Sequence, residues 1–182
     1  MTAIVCYRDH KQIVIACDRR VMHWTNSYAD TLSKYRSLSK WGITLAFAGG
    51  FSAIPRLDEA IAWLDVAWGG DETNNPLPAL FGKLRALITD NKTQLHLLVV
   101  YGGRVYIARL CDGFGMVEIT APACMLGSGG ATAEGYVLGA MRGAAELGAD
   151  AEQVCREAIH AASQVNAGVS PLCDVITIPL EQ

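Results

Sequence analysis

Thr2 and Asp18 are two residues near the start of the chain whose types could do chemistry. Thr2 directly follows Met1 and opens the apolar run T-A-I-V-C-Y, and Asp18 is the first acid in a buried-looking setting, at the end of a second apolar run. A threonine hydroxyl is a weak nucleophile unless a base lies within hydrogen-bonding reach. The two residues could therefore belong to a nucleophilic site, or Thr2 could be an ordinary β-branched residue that begins a strand.

Histidines, cysteines and the stretch G-S-G-G give little support to other chemistries. The histidines lack the spacing of metal ligands: His10, His23, His96 and His160. The cysteines lie mostly in apolar segments without C-x-x-C pairing, which favours reduced core thiols over a disulfide or a zinc site: Cys6, Cys17, Cys111, Cys124, Cys155 and Cys173. G-S-G-G lacks the Lys-Thr of a phosphate-binding loop and any dinucleotide fingerprint. The sequence therefore predicts no metal and no cofactor.

Composition and charge limit the class of protein and its partners. The chain has 182 residues, 51% hydrophobic and 18% charged, which is rich in apolar side chains and favours burial between subunits. A formal net charge of −3 without clustered Lys and Arg gives no case for nucleic acid or an anionic membrane. No signal-peptide pattern and no apolar stretch of about 20 residues are present. We expect a cytoplasmic homo-oligomer.

Hydrophobic periodicity predicts an alternation of strands and helix pairs. Apolar and β-branched runs predict strands over residues 3–7, 12–17, 43–48, 95–100, 105–110, 115–119, 124–126 and 173–178. Apolar residues at helical spacing predict helices over residues 54–68, 77–88, about 133–144 and about 151–163. The polar stretch from Arg19 to Ser33 is expected to be irregular.

This order of elements predicts one α+β domain. The first two strands are apolar on both faces and must be covered on both. Two stacked sheets with a helix pair outside each satisfy that need, which is a four-layer αββα sandwich. No repeat or linker interrupts the chain, so a single domain is expected over residues 1–182.

Five motifs, in order along nearly the whole chain, resemble the proteasome β-subunit and HslV superfamily. They are T-A-I-V-C-Y, I-A-C-D-R-R, S-K-Y-R-S-L, T-L-A-F-A-G-G and L-G-S-G-G. The resemblance implies the N-terminal nucleophile hydrolase fold, which is an αββα sandwich, and a proteasome-like domain over 1–182. It points to a small bacterial proteasome homologue rather than to HslV itself.

The resemblance implies a catalytic role for three of these residues. Once Met1 is removed, Thr2 would be the nucleophile and its α-amino group, with a reference pKa of about 7.7 to 8.0, would be the general base. Lys34 matches the family's catalytic lysine, and Asp18 matches the aspartate that pairs with it. A lysine ammonium would stabilise a developing alkoxide and keep the amine neutral. The simpler alternative is that Asp18 caps a turn and Lys34 is a solvated surface charge.

Three further residues match supporting positions of the family. Gly49 matches the residue whose main-chain N–H serves as an oxyanion donor, and it would also border the substrate. Ser128 matches a serine that hydrogen-bonds to the N-terminal amine. Val21 matches a pocket residue just beyond the catalytic acid. Taken alone, Gly49 could belong to a plain strand-to-helix turn, and Ser128 could satisfy a free amide at the start of a helix.

Two segments depart from the family pattern. Asn166 stands where the family carries an acid, and Pro171 follows Ser170 in a stretch, residues 164–174, that is one residue longer than in HslV. Asparagine can hydrogen-bond but cannot hold a negative charge, so the supporting role of Asn166 is open. The stretch from Arg19 to Ser33 also carries His23 and Trp24 where a substrate-binding segment would lie.

Three hypotheses follow. The first is a threonine endopeptidase subunit of a self-compartmentalising, stacked homo-oligomeric ring that cleaves unfolded polypeptides or peptides, with no assurance of an ATPase partner. The second is a catalytically inactive proteasome-fold ring scaffold. The third is a non-proteolytic N-terminal nucleophile amidase that acts on a small substrate.

Overall fold

The chain forms strands, α-helices and one short 3-10 helix over the residues that the computed structural model describes, which are 2–22, 28–70, 74–89, 93–111, 113–144 and 150–180. In chain order the strands are β1 (Ile4–Arg8), β2 (Gln12–Asp18), β3 (Val21–Met22), β4 (Tyr28–Ala29), β5 (Tyr35–Leu38), β6 (Ile43–Gly49), β7 (Leu95–Tyr101), β8 (Arg104–Cys111), β9 (Gly113–Ile119), β10 (Ala123–Leu126) and β11 (Cys173–Pro179). The α-helices are α1 (Ala53–Val66), α2 (Leu77–Leu87), α3 (Gly130–Ala144) and α4 (Ala151–Val165), and the 3-10 helix is Ser39–Trp41.

The predicted strands and helices are present, with ends that differ by a few residues. One difference lies in the stretch expected to be irregular, where β3 and β4 pair as a two-stranded antiparallel ribbon. Strands of two residues are too short to produce an alternating pattern. A second difference is that α1 ends at Val66, before Trp68, whose ring packs edge-to-face on Trp41 with centroids 5.0 Å apart.

The strands form two larger sheets, and the chain divides into two compact units that interleave along the sequence. The sheets have the strand orders β10-β1-β2-β11 and β5-β6-β7-β8-β9. One unit is drawn from Met1–Tyr35, Ala46–Ala48 and Ile119–Gln182, and the other from Arg36–Leu45 and Gly49–Glu118. A single domain over residues 1–182 stays a prediction.

The first unit contains the four-stranded sheet, on which α3 and α4 pack. β2 is central, paired antiparallel with β1 on one side and β11 on the other, so that Asp18 at its end lies opposite Cys173. Asp150 caps α4 by accepting a hydrogen bond from the Glu152 N–H, 3.0 Å away. Small apolar side chains bring both helices close to the sheet; those of the core include Ala3, Val5, Val14, Ala16, Ala133, Val137, Cys155, Ala158 and Ala162.

The second unit contains the α1 and α2 helix pair, which pack on each other, and the β7-β8 hairpin. Arg36 on β5 pairs with Asp58 on α1 through Nε and Oδ1, 2.9 Å apart. The indole N–H of buried Trp41 donates to Asp65 Oδ1 at 2.8 Å, which joins the 3-10 helix to the end of α1. No helix in the described part of the chain is long and apolar enough to cross a membrane.

Candidate active site

Asp18 is fully buried at the end of β2 and accepts hydrogen bonds on both carboxylate oxygens. Oδ1 accepts from the Ala3 N–H at 2.8 Å and from Lys34 Nζ at 2.9 Å. Oδ2 accepts from the Arg20 N–H at 3.0 Å and from the Ser170 N–H at 3.3 Å. All of these partners are donors, so the arrangement fits an ionised carboxylate, which has acceptor oxygens alone.

Lys34 is the second buried charge and lies just before β5, 4% exposed. Its carbonyl accepts a hydrogen bond from the Phe47 N–H at 2.9 Å, so β6 fixes its main chain. Its Nζ donates to Asp18 Oδ1 at 2.9 Å and to Thr2 Oγ1 at 3.1 Å. Burial lowers the pKa of Lys34 below its ordinary value, and the charge of Asp18 opposes that shift. The alternative of a solvated surface lysine is therefore wrong.

Thr2 is 8% exposed, and the turn between β10 and α3 holds its main chain. The Gly129 N–H donates to the Thr2 carbonyl at 3.1 Å. Gly127 has a φ of +83°, and a Cβ on it would lie 2.1 Å from the Thr2 carbonyl oxygen. Glycine at 127 is therefore required both by its backbone conformation and by the close approach of Thr2.

These contacts place the ammonium of Lys34 within hydrogen-bonding distance of the Thr2 hydroxyl oxygen. Because Lys34 donates to Oγ1, the hydroxyl proton is left for another acceptor, and the ammonium favours the alkoxide that forms when that proton leaves. Asp18 in turn fixes the position of the ammonium. The arrangement can activate a threonine hydroxyl, provided that a base accepts its proton.

Comparison with known proteins gives matches in structure. No protein-family model matches the chain, and no curated protein matches its sequence. Eukaryotic HslV from Trypanosoma brucei has a TM-score of 0.69 at 21% identity, with 98% of this chain and 99% of that chain covered. BPH from Thiobacillus denitrificans in complex with epoxomicin has a TM-score of 0.75 at 15% identity, with 99% and 100% covered. The Anbu complex from Pseudomonas aeruginosa, solved as a helical assembly, has a TM-score of 0.74 at 12% identity, with 97% and 81% covered.

The chain has the proteasome-type N-terminal nucleophile hydrolase fold. The fold class predicted from the sequence, an αββα sandwich, is confirmed. The resemblance to the proteasome and HslV superfamily is confirmed at the level of this fold.

Two further residues that the sequence predicts to belong to the site, Gly49 and Val21, lie at the ends of strands. Gly49 is the last residue of β6 and is exposed; a Cβ there would lie 2.3 Å from the Gln94 carbonyl oxygen. The packing of the chain before β7 thus explains this glycine by itself, and its oxyanion role stays a prediction. Val21 is the first residue of β3 and is half-buried, and its role in a substrate pocket also stays a prediction.

Ser128 lies in the turn whose glycines hold Thr2, and Asn166 lies in the turn that leads to Ser170, a donor to Asp18. Ser128 is exposed between Gly127 and Gly129; its bond to the amine of Thr2 stays a prediction. That amine exists after the loss of Met1, which lies outside the described residues, as do His23 and Trp24. Asn166 directly follows α4 as its C-cap residue. Its Oδ1 accepts a hydrogen bond from the Gly168 N–H at 3.0 Å, so this contact lies within its own turn.

The residues that sequence reasoning missed are Arg20, Asp30 and Ser170. Arg20 and Ser170 give Asp18 Oδ2 its two N–H donors, and Ser170 is fully buried. Asp30 binds the Arg20 guanidinium through both carboxylate oxygens, at 2.8 and 3.0 Å. Ser170 precedes Cys173 by three residues, and Cys173 lies opposite Asp18 in the sheet. The pairing of the last strand with β2 was the signal that could have found it.

Proposed function

We propose that this protein is a threonine peptidase subunit of a self-compartmentalising, proteasome-like ring complex that acts in the cytoplasm. The observation that carries the proposal is the hydrogen bond from the buried ammonium of Lys34 to Thr2 Oγ1, 3.1 Å long. A buried lysine costs free energy unless it is paired, and here both described partners of the ammonium are residues that catalysis by Thr2 requires.

The mechanism begins with the removal of Met1, which converts the amide nitrogen of Thr2 to a free amine. That amine takes the proton of the Thr2 hydroxyl while Oγ1 attacks the carbonyl carbon of a peptide bond. Lys34 stabilises the developing negative charge on Oγ1, and the Gly49 N–H stabilises the oxyanion of the tetrahedral intermediate. The amine, hydrogen-bonded to Ser128, then returns its proton to the leaving nitrogen, the C–N bond breaks, and water hydrolyses the ester on Thr2.

Lys34 also selects the protonation state of the base. Its positive charge disfavours a second positive charge on the neighbouring amine and so lowers the pKa of that amine. The amine is then neutral, and able to accept a proton, nearer to physiological pH. Asp18 keeps the lysine itself charged against the effect of burial.

Assembly and substrate class are supported by the surface and by the structural relatives. Large apolar side chains are exposed, among them Phe51 at 66%, Val66 at 87% and Val165 at 71%, as expected of subunit contacts. The Anbu complex from Pseudomonas aeruginosa is a helical assembly, which supports assembly from repeated subunits, and BPH forms a complex with epoxomicin. A closed ring of identical subunits would admit unfolded polypeptide to its chamber and exclude folded proteins.

The deciding experiment is the intact mass of the purified protein before and after incubation with a peptide epoxyketone. Such a probe offers two electrophilic carbons, so a free 1,2-amino alcohol at Thr2 can form two bonds to it. We expect the wild type to lose one methionine from the expressed mass and to gain one adduct. Thr120→Ala, which changes an exposed threonine, should behave like the wild type, whereas Thr2→Ala should form no adduct. Retained Met1 with no adduct would contradict a peptidase and favour the inactive scaffold.

Assembly and substrate need separate measurements. Sedimentation velocity should give a single large oligomer for the wild type and for Thr2→Ala alike. Turnover of an unstructured polypeptide by that oligomer supports the peptidase. A monomer that hydrolyses small amides but no polypeptide would favour the amidase instead.

A further inference from the structure

Asp30 lies at the junction of the two segments that hold Asp18. The main-chain donors to Asp18 Oδ2 are Arg20 and Ser170. The side chain of Arg20 binds Asp30: Nε donates to Oδ1 at 2.8 Å and Nη2 to Oδ2 at 3.0 Å. The Ser170 side chain acts on the same carboxylate and contributes to lowering its pKa. Asp30 is thus linked to both residues that position the second oxygen of Asp18.

The Arg20 guanidinium extends this connection to the segment after α4. Its Nη1 donates to the Ala167 carbonyl at 2.7 Å, so the segment that carries Ser170 is held at two points. A bidentate Arg–carboxylate pair fixes relative orientation as well as distance. The Asp30 side chain is 26% exposed and that of Arg20 is 20% exposed, so the pair is partly shielded from solvent.

Asp30 also acts on the buried charges through its own charge. Burial lowers the pKa of Lys34; the charge of Asp18 opposes that shift, and the negative charge of Asp30 raises the pKa of Lys34 further. The Arg20 hydrogen bonds lower the pKa of Asp30 itself, which keeps it ionised at neutral pH.

We propose that Asp30 is a positioning residue for the reaction: by binding the Arg20 guanidinium it holds the main chain that supports Asp18, and thereby keeps Lys34 in line with Thr2. The proposal rests on the proposed function of Thr2, Asp18 and Lys34. Asp30 touches no reacting atom, so its removal should slow turnover without weakening substrate binding.

The test compares Asp30→Asn with Asp58→Asn. Asp58 is a matched control because it forms the same kind of bidentate pair, with Arg36, at 2.9 and 3.3 Å, among residues to which we assign no role in catalysis. For an unstructured peptide we expect Asp30→Asn to lower kcat about 10- to 100-fold, the size of effect that a slightly misplaced catalytic group gives. KM should stay within about twofold, since binding contacts are unchanged. Asp58→Asn should leave both constants unchanged, and Asp30→Glu, which keeps the charge, should recover part of kcat.

A second readout does not depend on activity. Titration of the Lys34 side chain by NMR, assigned with Lys34→Met, should give a lower pKa in Asp30→Asn than in the wild type and no change in Asp58→Asn. The alkaline limb of the pH–rate profile should move to lower pH in Asp30→Asn alone. If Asp30→Asn lowers the pKa of Lys34 while wild-type Thr2 forms no adduct with the epoxyketone, Asp30 acts on Lys34 as proposed and the peptidase is rejected. An unchanged titration and an unchanged kcat in Asp30→Asn, or equal losses in Asp58→Asn, would overturn the proposal.

Discussion

Asp18→Asn should be among the most destabilising changes of its size in this protein. The substitution keeps the volume and shape of the side chain but replaces one acceptor oxygen by an NH2 group. Asp18 is fully buried, and each of its oxygens accepts from two donors. In either orientation of the new amide, two donors would face an NH2 group, and Lys34 would lose the counter-charge at 2.9 Å that offsets its burial.

The magnitude follows from the burial of both partners. Breaking a buried ion pair by removing one partner costs about 3–5 kcal/mol, and we expect Asp18→Asn to fall in this range. Lys34→Met should cost less, about 1–3 kcal/mol, because Asp18 would keep the N–H donors of Ala3, Arg20 and Ser170. The double variant Asp18→Asn/Lys34→Met should cost less than the sum, by about 0.5–3 kcal/mol, since methionine removes the unpaired ammonium.

Urea unfolding followed by tryptophan fluorescence measures these differences at one fixed protein concentration, because subunit association would add to stability. For a chain of this length, 3–5 kcal/mol corresponds to a fall in Tm of roughly 6 to 20 °C. A loss below about 1 kcal/mol for Asp18→Asn would refute the reasoning, because it would mean that the pair is solvated. A larger loss for Lys34→Met than for Asp18→Asn would also refute it, because it would mean that the N–H donors do not sustain the charge of Asp18. Strict additivity of the two changes would do the same.

Two further predictions concern other buried groups. Burial raises the pKa of Cys155 from 9.0 to about 12, so the stability that the protonated thiol contributes is complete below pH 9 and is lost as the pH rises toward 12. Between pH 8 and pH 10, the free energy of unfolding should fall by about 1.4 kcal/mol more in the wild type than in Cys155→Ala. Equal losses in urea unfolding would contradict this prediction. Gly127→Ala should cost at least about 1–3 kcal/mol, because its φ is +83° and the new Cβ would meet the Thr2 carbonyl; wild-type Tm together with wild-type labelling of Thr2 by the epoxyketone would count against it.

The sequence predicted the elements and the residues around Thr2 better than it predicted the turns that hold them. β2 was recognisable as a short, continuous apolar run that is buried along its length, and α4 was recognisable because its buried residues recur at helical spacing. Asp18 and Lys34 were recognisable because each lies inside an ordered motif, and the structure places Lys34 Nζ within hydrogen-bonding distance of both Asp18 and Thr2. Their roles in catalysis stay predictions.

Asp30 and Ser170 could not be found in the same way. Their contacts depend on how a polar segment of 15 residues before Lys34 meets a turn after α4, and no local pattern encodes such a meeting. Asn166 stands where the family carries an acid, with its supporting role open, and its described contact shapes its own turn, which leads to Ser170. Gly49 illustrates the converse: a residue singled out for chemistry also has a packing reason to be glycine.

The central place of β2, between β1 and β11, has a consequence for the order in which the site is built during synthesis. Thr2 and Asp18 leave the ribosome early, but the Ser170 donor lies 152 residues after Asp18. At about 5–20 residues per second, that donor is made roughly 8 to 30 seconds later. A nascent chain therefore carries Thr2 and Asp18 long before the Ser170 donor to Asp18 exists. The sheet order delays completion of this hydrogen-bonded network until the segment before β11 has been translated.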